Sequence, residues 1–320
     1  MNPVPDISVV IPTRDRAAVL ERTLAALAEQ ELGGIAMEVI VVDNGSPAGS
    51  LEAVSSFSAT APFSFTLLVE QRSGASAARN AGVAVARGEH ILFLGDDTRP
   101  ADGDLVAEHV QALSERPGAR VVMGVCHWAP GIEVTPVMEW LERTRKSHDY
   151  SIFPPGEGPL TNLYANNLSL PRDALLDVGG FDERFPQYGW EDYDLALRLG
   201  DRGYRLCFLP ELVVHHDHTS GLKDSLRRME SVGRTARLFN RLHAERDGLL
   251  APRPDGPKAA IARALDPMLR RIPVPGWIPR PIRDRAFRTL HYAALARGYE
   301  DSPIPADPGL RGGIEEALPR

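Results

Sequence analysis

The first hundred residues alternate between short apolar runs and segments with helical spacing, and this limits the fold more than any other feature of the chain. The apolar runs are rich in β-branched residues, which is typical of strands buried on both faces. Helical spacing covers Asp15–Gln30 and Ala75–Ala86. The predicted strands are Ile7–Pro12, Met37–Asp43, Phe65–Glu70 and His90–Asp97. This order predicts an α/β fold with a Rossmann-like, mostly parallel central sheet flanked by helices.

The pattern is looser after Pro100, and helices dominate the last third of the chain. A stretch rich in proline and glycine covers Phe153–Pro159, and Ala251–Pro281 is predicted to be irregular because it is rich in proline. The last twenty residues are expected to fray. Further helices are predicted at Asp104–Glu115, Tyr193–Leu199, Leu222–Asp247 and Ile282–Tyr299, and a strand at Arg120–His127. We therefore expect a C-terminal helical extension after the α/β part.

Charge and composition exclude some classes of protein. A formal net charge of -7 argues against a general nucleic-acid binder, which carries a basic excess. The two cysteines, Cys126 and Cys207, sit in apolar runs and are predicted to be buried, reduced thiols. The start shows no signal peptide, and no apolar run reaches the ~20 residues that cross a bilayer. A cytoplasmic protein is expected, with contact to a membrane face left open.

Polar residues follow three predicted strands at their carboxyl ends, where parallel α/β sheets bind ligands. These groups are Thr13-Arg14-Asp15, Asp43-Asn44 and Gly95-Asp96-Asp97. Asp96 and Asp97 form either a solvated turn or cap, or oxygen ligands for Mg²⁺ or Mn²⁺. Asp43 is either a turn residue or a hydrogen-bond acceptor for a base or ribose. Gly95 lets a ligand approach the backbone closely.

Three further positions allow two interpretations each. Arg79 is either a surface residue or a bidentate ligand of a diphosphate. Glu191 and Asp192 open a helix, so they either complement its dipole or supply a general base. One histidine of His215-His216 is either structural or a metal ligand, and strand alternation does not decide between the two.

An ordered series of motifs along residues 6–220 identifies a family. The motifs are PTRDR, VVDNGS, AARNAG, FLGDD, GGFDERF, GWEDYDLALRL and LPELVVHH. Together they closely resemble glycosyltransferase family 2, which has the GT-A fold. The resemblance implies an inverting sugar transfer from a nucleotide sugar, assisted by Mn²⁺ or Mg²⁺.

The resemblance implies a donor site along the sheet edge. Asp43 would hydrogen-bond a uracil or thymine ring, and Asp96 would face ribose or sugar. Asp97 would bind the metal, with His216 a better match than His215 for the histidine that completes the site. The other implied donor contacts are Pro12, Thr13 and Arg14 beside the base, and Gly74 and Arg79 near the base or diphosphate.

The resemblance also implies a catalytic base and an acceptor side. Asp192 matches the general base of the family, with Trp190 and Glu191 on the acceptor side. Gly95 stands where the family often has the first aspartate of Asp-x-Asp, so this chain departs from the pattern there. The irregular stretch Pro130–Pro159 and the C-terminal helices are predicted to shape the acceptor site.

These predictions divide the chain into residues 1–220, a GT-A glycosyltransferase domain, and residues 221–320, a C-terminal helical extension. Residues 1–100 are the predicted nucleotide-sugar half and residues 101–220 the acceptor half. The main hypothesis is an enzyme, a hexosyl- or deoxyhexosyltransferase. The alternatives are a nucleotidyltransferase and a non-catalytic nucleotide-sugar binding protein on the same fold.

The expected partners follow from the same resemblance. The donor is UDP- or dTDP-linked, and GWEDYDLALRL is similar to the rhamnosyltransferase branch. The acceptor is a glycan, a lipid-linked sugar or a small molecule, and no nucleic acid is expected. The helix Leu222–Asp247 carries five arginines, which form either a solvated basic face or a surface for anionic lipid or a partner subunit. The C-terminal helices thus leave a peripheral membrane contact or a homodimer open. The arginines are Arg227, Arg228, Arg234, Arg237 and Arg241.

Overall fold

A mixed β-sheet forms the centre of the computed structural model, which describes residues 4–115, 120–246, 251–254, 256–271 and 277–302. Within these residues the strands, β1 to β9 in chain order, are Ile7–Thr13, Met37–Asp43, Ser64–Val69, His90–Leu94, Thr98–Pro100, Arg120–Trp128, Gly156–Pro159, Asn167–Pro171 and Arg205–His216. The order β3-β2-β1-β4 is parallel throughout. β8, β6, β9 and β5 follow in mixed directions, and β7 pairs with β9. The predicted, mostly parallel α/β sheet is confirmed. β6 and β9 also pair in parallel, and among the described strands β8, β5 and β7 run antiparallel to their neighbours.

Helices cover both faces of the sheet. In the described part of the chain they are, as α1 to α10, Ala17–Ala28, Glu52–Phe57, Ala75–Val85, Leu105–Ser114, Pro136–Arg143, Arg172–Asp177, Glu191–Asp201, Leu222–Leu242, Gly256–Leu269 and Arg280–Glu300. Side chains alternate across β1: Val10 joins the apolar cluster under α3, whereas Val9 and Ile11 join the cluster under α1 and α4. This alternation explains why β1 is apolar along its length, since a strand covered on both faces has no solvated side.

The fourth strand is shorter than the sequence predicts. The predicted run His90–Asp97 stops at Leu94, and a turn separates β4 from β5. The backbone N–H of Gly95 donates to the hydroxyl of Thr98 at 2.8 Å, which closes this turn. β5 then pairs with the end of β9, where Thr98 lies opposite His216. The two aspartates therefore leave the sheet at a tight turn and do not extend it.

A glycine bulge sets the register of β6 against β9. A Cβ on Gly124 would lie 2.2 Å from the carbonyl oxygen of Leu212, so no larger residue fits there. The side-chain amide of Asn167 donates to the Leu212 carbonyl at 2.9 Å and to that of Val125 at 3.3 Å, which holds the bulge. After the register shift, the paired ends of the strands bring Trp128 opposite His216.

The C-terminal helices pack closely on each other and on the sheet domain. A Cβ on Gly298 of α10 would lie 1.9 Å from the carbonyl oxygen of Glu230 in α8, so this helix contact requires glycine. Just beyond α8, the Nε2 atom of His243 lies 3.0 Å from a carboxylate oxygen of Asp194 in α7. The predicted helical extension is confirmed, and it is joined to the helix that carries the predicted base.

Helix α9 corrects the prediction that Ala251–Pro281 is irregular. Pro257 sits in the first turn, where its missing N–H breaks no helical hydrogen bond. The run that follows contains no glycine or proline until Pro267 near the helix end. Helix α8 ends at Leu242 and residues 243–246 form a turn, so the predicted extent to Asp247 is wrong. Residues 303–320 of the predicted frayed tail lie outside the described residues.

Arginines of α8 make contacts on the protein surface. The Arg228 guanidinium lies 4.6 Å from the ring centroid of Tyr188, and that of Arg237 lies 5.6 Å from Tyr299. These contacts turn part of the predicted basic face toward the protein. In the residues described, no helix combines the length and the apolar character that crossing a membrane requires.

Candidate active site

A cavity of about 310 Å³ opens beyond the carboxyl ends of β1 and β4, beside the end of β9. Seven of the residues predicted from the sequence line it: Pro12, Arg79, Gly95, Asp96, Asp97, Asp192 and His216. A second cavity of about 390 Å³ runs along α8 and shares Arg16, Asp97 and Arg228 with the first. The motifs of the two chain halves therefore meet in one place.

The two aspartates of the acidic turn are buried and tightly paired. The Thr13 hydroxyl donates to Asp96 at 2.9 Å. One nitrogen of Arg16 lies 3.0 Å from Asp96 Oδ1 and 2.6 Å from Asp97 Oδ2. Asp96 and Asp97 are 7% and 8% exposed, which excludes the solvated-turn interpretation. We call these two aspartates, with Arg16 and His216, the acidic edge.

The pKa values of the two carboxyl groups are shifted in opposite directions. Burial and the neighbouring Asp97 charge raise the pKa of Asp96 to about 6, against the pull of Arg16. Burial also tends to raise the pKa of Asp97. The charges of His216 and Arg16 outweigh burial and hold this pKa below its ordinary value. Asp97 is therefore the carboxylate that stays charged.

His216, and not His215, faces the acidic turn. Its Nε2 atom lies 3.3 Å from Asp97 Oδ2, and its ring packs edge-on against Trp128 at 5.2 Å between centroids. Burial lowers the pKa of His216, although Asp97 opposes the shift, so its neutral form is available to bind a cation. His215 does not line the cavity.

Asp97 and His216 could supply two ligands to a metal ion that is also bound by a substrate. Within the described residues, no group of three or more His, Cys, Asp and Glu side chains could hold a metal by itself. One carboxylate oxygen and one imidazole nitrogen nevertheless converge here, and Mg²⁺-type sites commonly combine one or two carboxylates with substrate phosphates. The donor set thus fits a divalent cation that would take its other ligands from a bound molecule.

Asp192, at the start of α7, presents an oxygen to the cavity. Its Oδ2 accepts a hydrogen bond from the backbone N–H of Ala165 at 3.0 Å. Its Oδ1 is buried without a hydrogen-bond partner among the described residues, and the same is true of Arg79 Nη1, which lies 3.7 Å away. Buried polar atoms left unpaired in this way favour a site that a ligand completes.

Glu191 lies behind Asp192 and does not line the cavity. Burial and the Asp192 charge raise the pKa of Glu191 to about 8, while Arg79, 4.0 Å away, opposes this. Burial likewise raises the pKa of Asp192, against the effect of Arg79. A carboxylate with a raised pKa is a stronger proton acceptor, which is the property that a general base needs.

Asp43, Arg14 and Gly74, which are predicted to contact the nucleotide base or the diphosphate, lie beside the cavity. Asp43 ends β2 opposite Thr13, and its Oδ1 accepts from the backbone N–H of Ser46 at 2.9 Å. Arg14 is exposed beside the Gly45 turn. Gly74 contacts the backbone of Pro186: a Cβ there would lie 2.9 Å from its carbonyl oxygen. The structure therefore gives Gly74 a packing reason that the sequence does not show.

Trp190, which is predicted to lie on the acceptor side, packs against α8. Its indole N–H donates to the carbonyl of Val232 at 3.1 Å, and its ring packs against Phe239 at 5.0 Å between centroids. It does not line the cavity. Its contacts fasten α7 to α8, and a role on the acceptor side stays a prediction.

An aromatic wall forms another part of the cavity and was missed from the sequence. It consists of Trp128, His148, Tyr150, Tyr164 and Tyr188. The rings of His148 and Tyr150 are stacked at 5.5 Å, and Tyr164 meets both edge-on. Burial lowers the pKa of His148 to about 3 and raises that of Tyr164 to about 12, so both side chains are neutral near pH 7.

The missed residues carry different sequence signals. Arg16 lies inside PTRDR, and a basic residue after a strand that ends at a predicted metal edge could have been suspected. The aromatic residues are scattered between positions 128 and 188 without regular spacing. Only the predicted assignment of Pro130–Pro159 to the acceptor site pointed toward His148 and Tyr150.

Comparison with solved structures defines the fold class. The structure of the mannosyltransferase PcManGT from Pyrobaculum calidifontis, in complex with GDP-Man and Mn²⁺, matches with a TM-score of 0.62 and 22% sequence identity. The match covers 94% of this chain and 89% of that one. The fold is therefore GT-A.

Sequence comparison defines the family. Glycosyl transferase family 2 matches residues 8–158, and Glycosyl transferase family group 2 matches residues 90–240. An uncharacterized glycosyltransferase, YfnE of Bacillus subtilis, is 30% identical over 262 residues, covering 68% of this chain and 66% of the relative. Validoxylamine A glucosyltransferase of Streptomyces hygroscopicus subsp. jinggangensis is 32% identical over 223 residues, covering 62% and 52%. The chain thus spans about half to two thirds of these relatives, and it belongs to glycosyltransferase family 2.

Proposed function

We propose that this protein is an inverting, metal-dependent glycosyltransferase that moves a hexosyl or deoxyhexosyl group from a UDP- or dTDP-sugar to an acceptor hydroxyl. The observation that carries the proposal is that Asp97, His216 and Asp192 line one cavity at the carboxyl edge of the sheet. Family membership supports the reaction class.

The donor is proposed to lie along the acidic edge. Asp43 and Arg14 flank the open edge beside β1, where a uracil or thymine ring would meet the carboxylate. The diphosphate would then lie over Gly95 and Asp97, with Asp96 toward ribose or sugar. A divalent cation bound by Asp97 and His216 supplies positive charge that stabilises a diphosphate leaving group. Arg228 faces the same cavity and adds a further positive charge.

Asp192 is proposed to act as the general base. Its unpaired Oδ1 accepts the proton of the acceptor hydroxyl as that oxygen forms a bond to the anomeric carbon. The bond from the anomeric carbon to the diphosphate oxygen breaks in the same step, and its electron pair leaves with the nucleoside diphosphate. Arg79, 3.7 Å from Asp192, holds the carboxylate in place before transfer.

The acceptor is proposed to lie on the aromatic wall. Flat, neutral rings with polar edges suit a hydroxylated ring such as a sugar or another hydroxylated small molecule. A validoxylamine A glucosyltransferase among the relatives makes a small-molecule acceptor reasonable. Residues 101–220, the proposed acceptor half, contribute every member of this wall.

A thermal-shift screen of nucleotide sugars with and without Mn²⁺ tests the donor side, because a ligand of the folded state raises its stability. UDP-glucose, UDP-N-acetylglucosamine, dTDP-rhamnose and GDP-mannose form the panel. We expect a UDP- or dTDP-sugar to raise the melting temperature only with metal, and Asp97→Asn to remove the effect. A shift that is independent of metal would contradict the metal assignment.

The products separate the proposal from its alternatives. Incubation of the shifting donor with candidate acceptors should release nucleoside diphosphate. Release of pyrophosphate from a nucleoside triphosphate and sugar phosphate would instead indicate a nucleotidyltransferase. Donor binding with neither transfer nor slow donor hydrolysis would indicate a non-catalytic binding protein.

A further inference from the structure

Helix α9 has two apolar faces, and its inner face packs on α10. Ala259, Ala262 and Asp266 of the inner face are 0%, 5% and 4% exposed. Asp266 forms ion pairs with Arg270 and with Arg297 of α10. The small alanines allow close helix packing, and the buried aspartate is neutralised by arginines on both sides. The inner face is therefore a structural interface in which the apolar side chains are buried and the one charged side chain is paired.

The outer face of α9 carries large apolar side chains in water. Ile261, Leu265 and Met268 are 60%, 39% and 55% exposed. Spacings of four and three residues place them within an arc of about 60° at ~100° per residue, roughly opposite the inner face. Scattered exposed apolar residues are ordinary, whereas an aligned stripe marks an interaction surface.

Exposed apolar residues concentrate in this part of the chain. Five of the twelve large apolar side chains exposed in the described residues lie between positions 261 and 282. Besides the stripe these are Trp277 and Ile282, which are 83% and 63% exposed. A tryptophan combines a large apolar ring with a polar N–H, so it suits a surface where water meets a less polar phase.

The charge around the stripe is positive. Asp266 is the only acidic residue of α9 and is buried, so the exposed part of the helix carries no negative side chain. Two basic residues lie near the stripe in the chain: Lys258, whose ammonium is 5.1 Å from the ring centroid of Tyr292 in α10, and Arg271, two residues beyond the helix end. Residues 251–302 contain ten Lys and Arg against five Asp and Glu, in a chain whose net charge is -7. This segment therefore differs in the sign of its net charge from the rest of the chain, although part of its positive charge is paired with acidic residues, as in the ion pairs Arg263–Glu300 and Arg280–Glu139.

We propose that the outer face of α9, formed by Ile261, Leu265 and Met268, docks on a membrane surface that contains anionic lipid. The helix lies in the plane of the interface with its apolar stripe among the upper acyl chains. Lys258 and Arg271 reach the phosphate level of the headgroups. A second copy of this chain fits less well, because it would bring the basic residues together without acidic partners. Anionic headgroups supply the missing negative charge.

Vesicle co-sedimentation of the full chain tests the proposal without any donor or acceptor. Wild-type protein should bind vesicles of equal parts phosphatidylglycerol and phosphatidylcholine, and bind pure phosphatidylcholine weakly. The double change Leu265→Glu with Met268→Glu should weaken binding at least about tenfold, since two apolar side chains leave the acyl region. Leu176→Glu, at an exposed apolar position on α6, is the matched control and should bind like wild type.

The electrostatic part has its own test. Lys258→Gln and Arg271→Gln should each weaken binding to the phosphatidylglycerol vesicles about fivefold, with little change on pure phosphatidylcholine. Raising NaCl from 50 to about 500 mM should reduce wild-type binding for the same reason. Melting curves of the variants at Leu265 and Met268, Arg271 and Leu176 should superimpose on that of the wild type, because these side chains are exposed. Lys258→Gln also removes a contact with Tyr292, so its vesicle binding is compared at a temperature well below its own melting point.

Three outcomes would overturn the proposal. The first is that wild-type protein stays in the supernatant with anionic vesicles. The second is that the double glutamate variant binds as well as the wild type. The third is a wild-type dimer in light scattering that the same variant converts to monomer, with no vesicle binding by either. That last result would assign the face to a second copy of the chain.

Discussion

The acidic edge and the aromatic wall border the same cavity but are built on different physical principles. The acidic edge holds four ionisable groups within contacts of 2.6 to 3.3 Å, so its members fix one another's charge. The aromatic wall includes rings that meet at 4.8 to 5.6 Å, and burial keeps His148 and Tyr164 neutral.

The difference teaches how the cavity can distinguish two substrates. A site with a fixed charge pattern binds a charged group, such as a diphosphate with its cation, and tolerates little change in geometry. A wall of neutral rings binds by shape and stacking, so it accepts a range of hydroxylated rings. Changes at the acidic edge should therefore affect donor and metal, and changes at the wall should affect the acceptor.

Asp192→Asn should give the largest effect, because Asp192 lies where the two surfaces meet. The amide cannot take the proton of an acceptor hydroxyl, and general-base help is worth roughly 10²- to 10⁴-fold. We expect kcat to fall by that factor while calorimetry shows unchanged affinity for UDP or dTDP with Mn²⁺. Turnover near that of the wild type would show that another group is the base.

Tyr188→Leu tests whether the aromatic wall binds the acceptor and not the donor. Loss of the ring removes stacking worth about 1 kcal/mol, which corresponds to about a fivefold rise in the acceptor KM. The donor KM should change little, and Tyr188→Phe, which keeps the ring, should resemble the wild type. Steady-state kinetics with each substrate varied separately measures both constants. An equal rise in both KM values would mean that the wall does not separate the two substrates.

Arg16→Ala tests whether the charges of the acidic edge control metal binding. The guanidinium contacts Asp97 Oδ2, the oxygen proposed to bind the metal, so arginine and cation compete for it. Arg16 is partly exposed, and a pair of that kind is worth about 1 kcal/mol at most. Without nucleotide, we expect Mn²⁺ to bind up to about fivefold more tightly, as followed by the electron spin resonance signal of free Mn²⁺.

The control for Arg16 is Arg14→Ala, since Arg14 is the neighbouring exposed arginine and makes no ion pair with the aspartates in the described structure. It should leave Mn²⁺ affinity unchanged. Weaker Mn²⁺ binding by the Arg16 variant would show that Arg16 organises the two carboxylates for the metal and does not compete with it.

The predictability of the two surfaces differs for a physical reason. Buried parallel strands place the polar residues that follow them at one edge, so Asp96 and Asp97 could be named from the sequence, whereas Asp192, at a helix start, was named from the family resemblance. Aromatic side chains such as His148 and Tyr164 reach the cavity through loops and strand ends with no fixed period. The family resemblance assigned Trp190 to the acceptor side, whereas in the structure its indole N–H donates to Val232 of α8. Local spacing does not reveal such a contact.

Helix α9 was missed for a related reason. Proline content predicted an irregular chain, although Pro257 lies in the first turn, where proline is tolerated. Alanine favours a helix, and residues 258–265 contain four alanines, but the prediction gave more weight to the prolines around them.

Glu191→Gln should give the smallest effect. It removes the ionisable group next to Asp192 and keeps a side chain of nearly the same shape. Because the pKa of Glu191 is raised from 4.5 to about 8, the folded protein keeps a proton that the unfolded chain releases, and stability falls as pH rises through this interval. Glutamine carries no charge and its carbonyl oxygen can still accept from the Gly189 N–H. The melting temperature of the variant should therefore equal that of the wild type near pH 4 and exceed it increasingly as the pH rises toward 8. Differential scanning calorimetry across this range measures the difference. A gap that is constant with pH would mean that Glu191 is already ionised in the folded protein, with Arg79 compensating its charge.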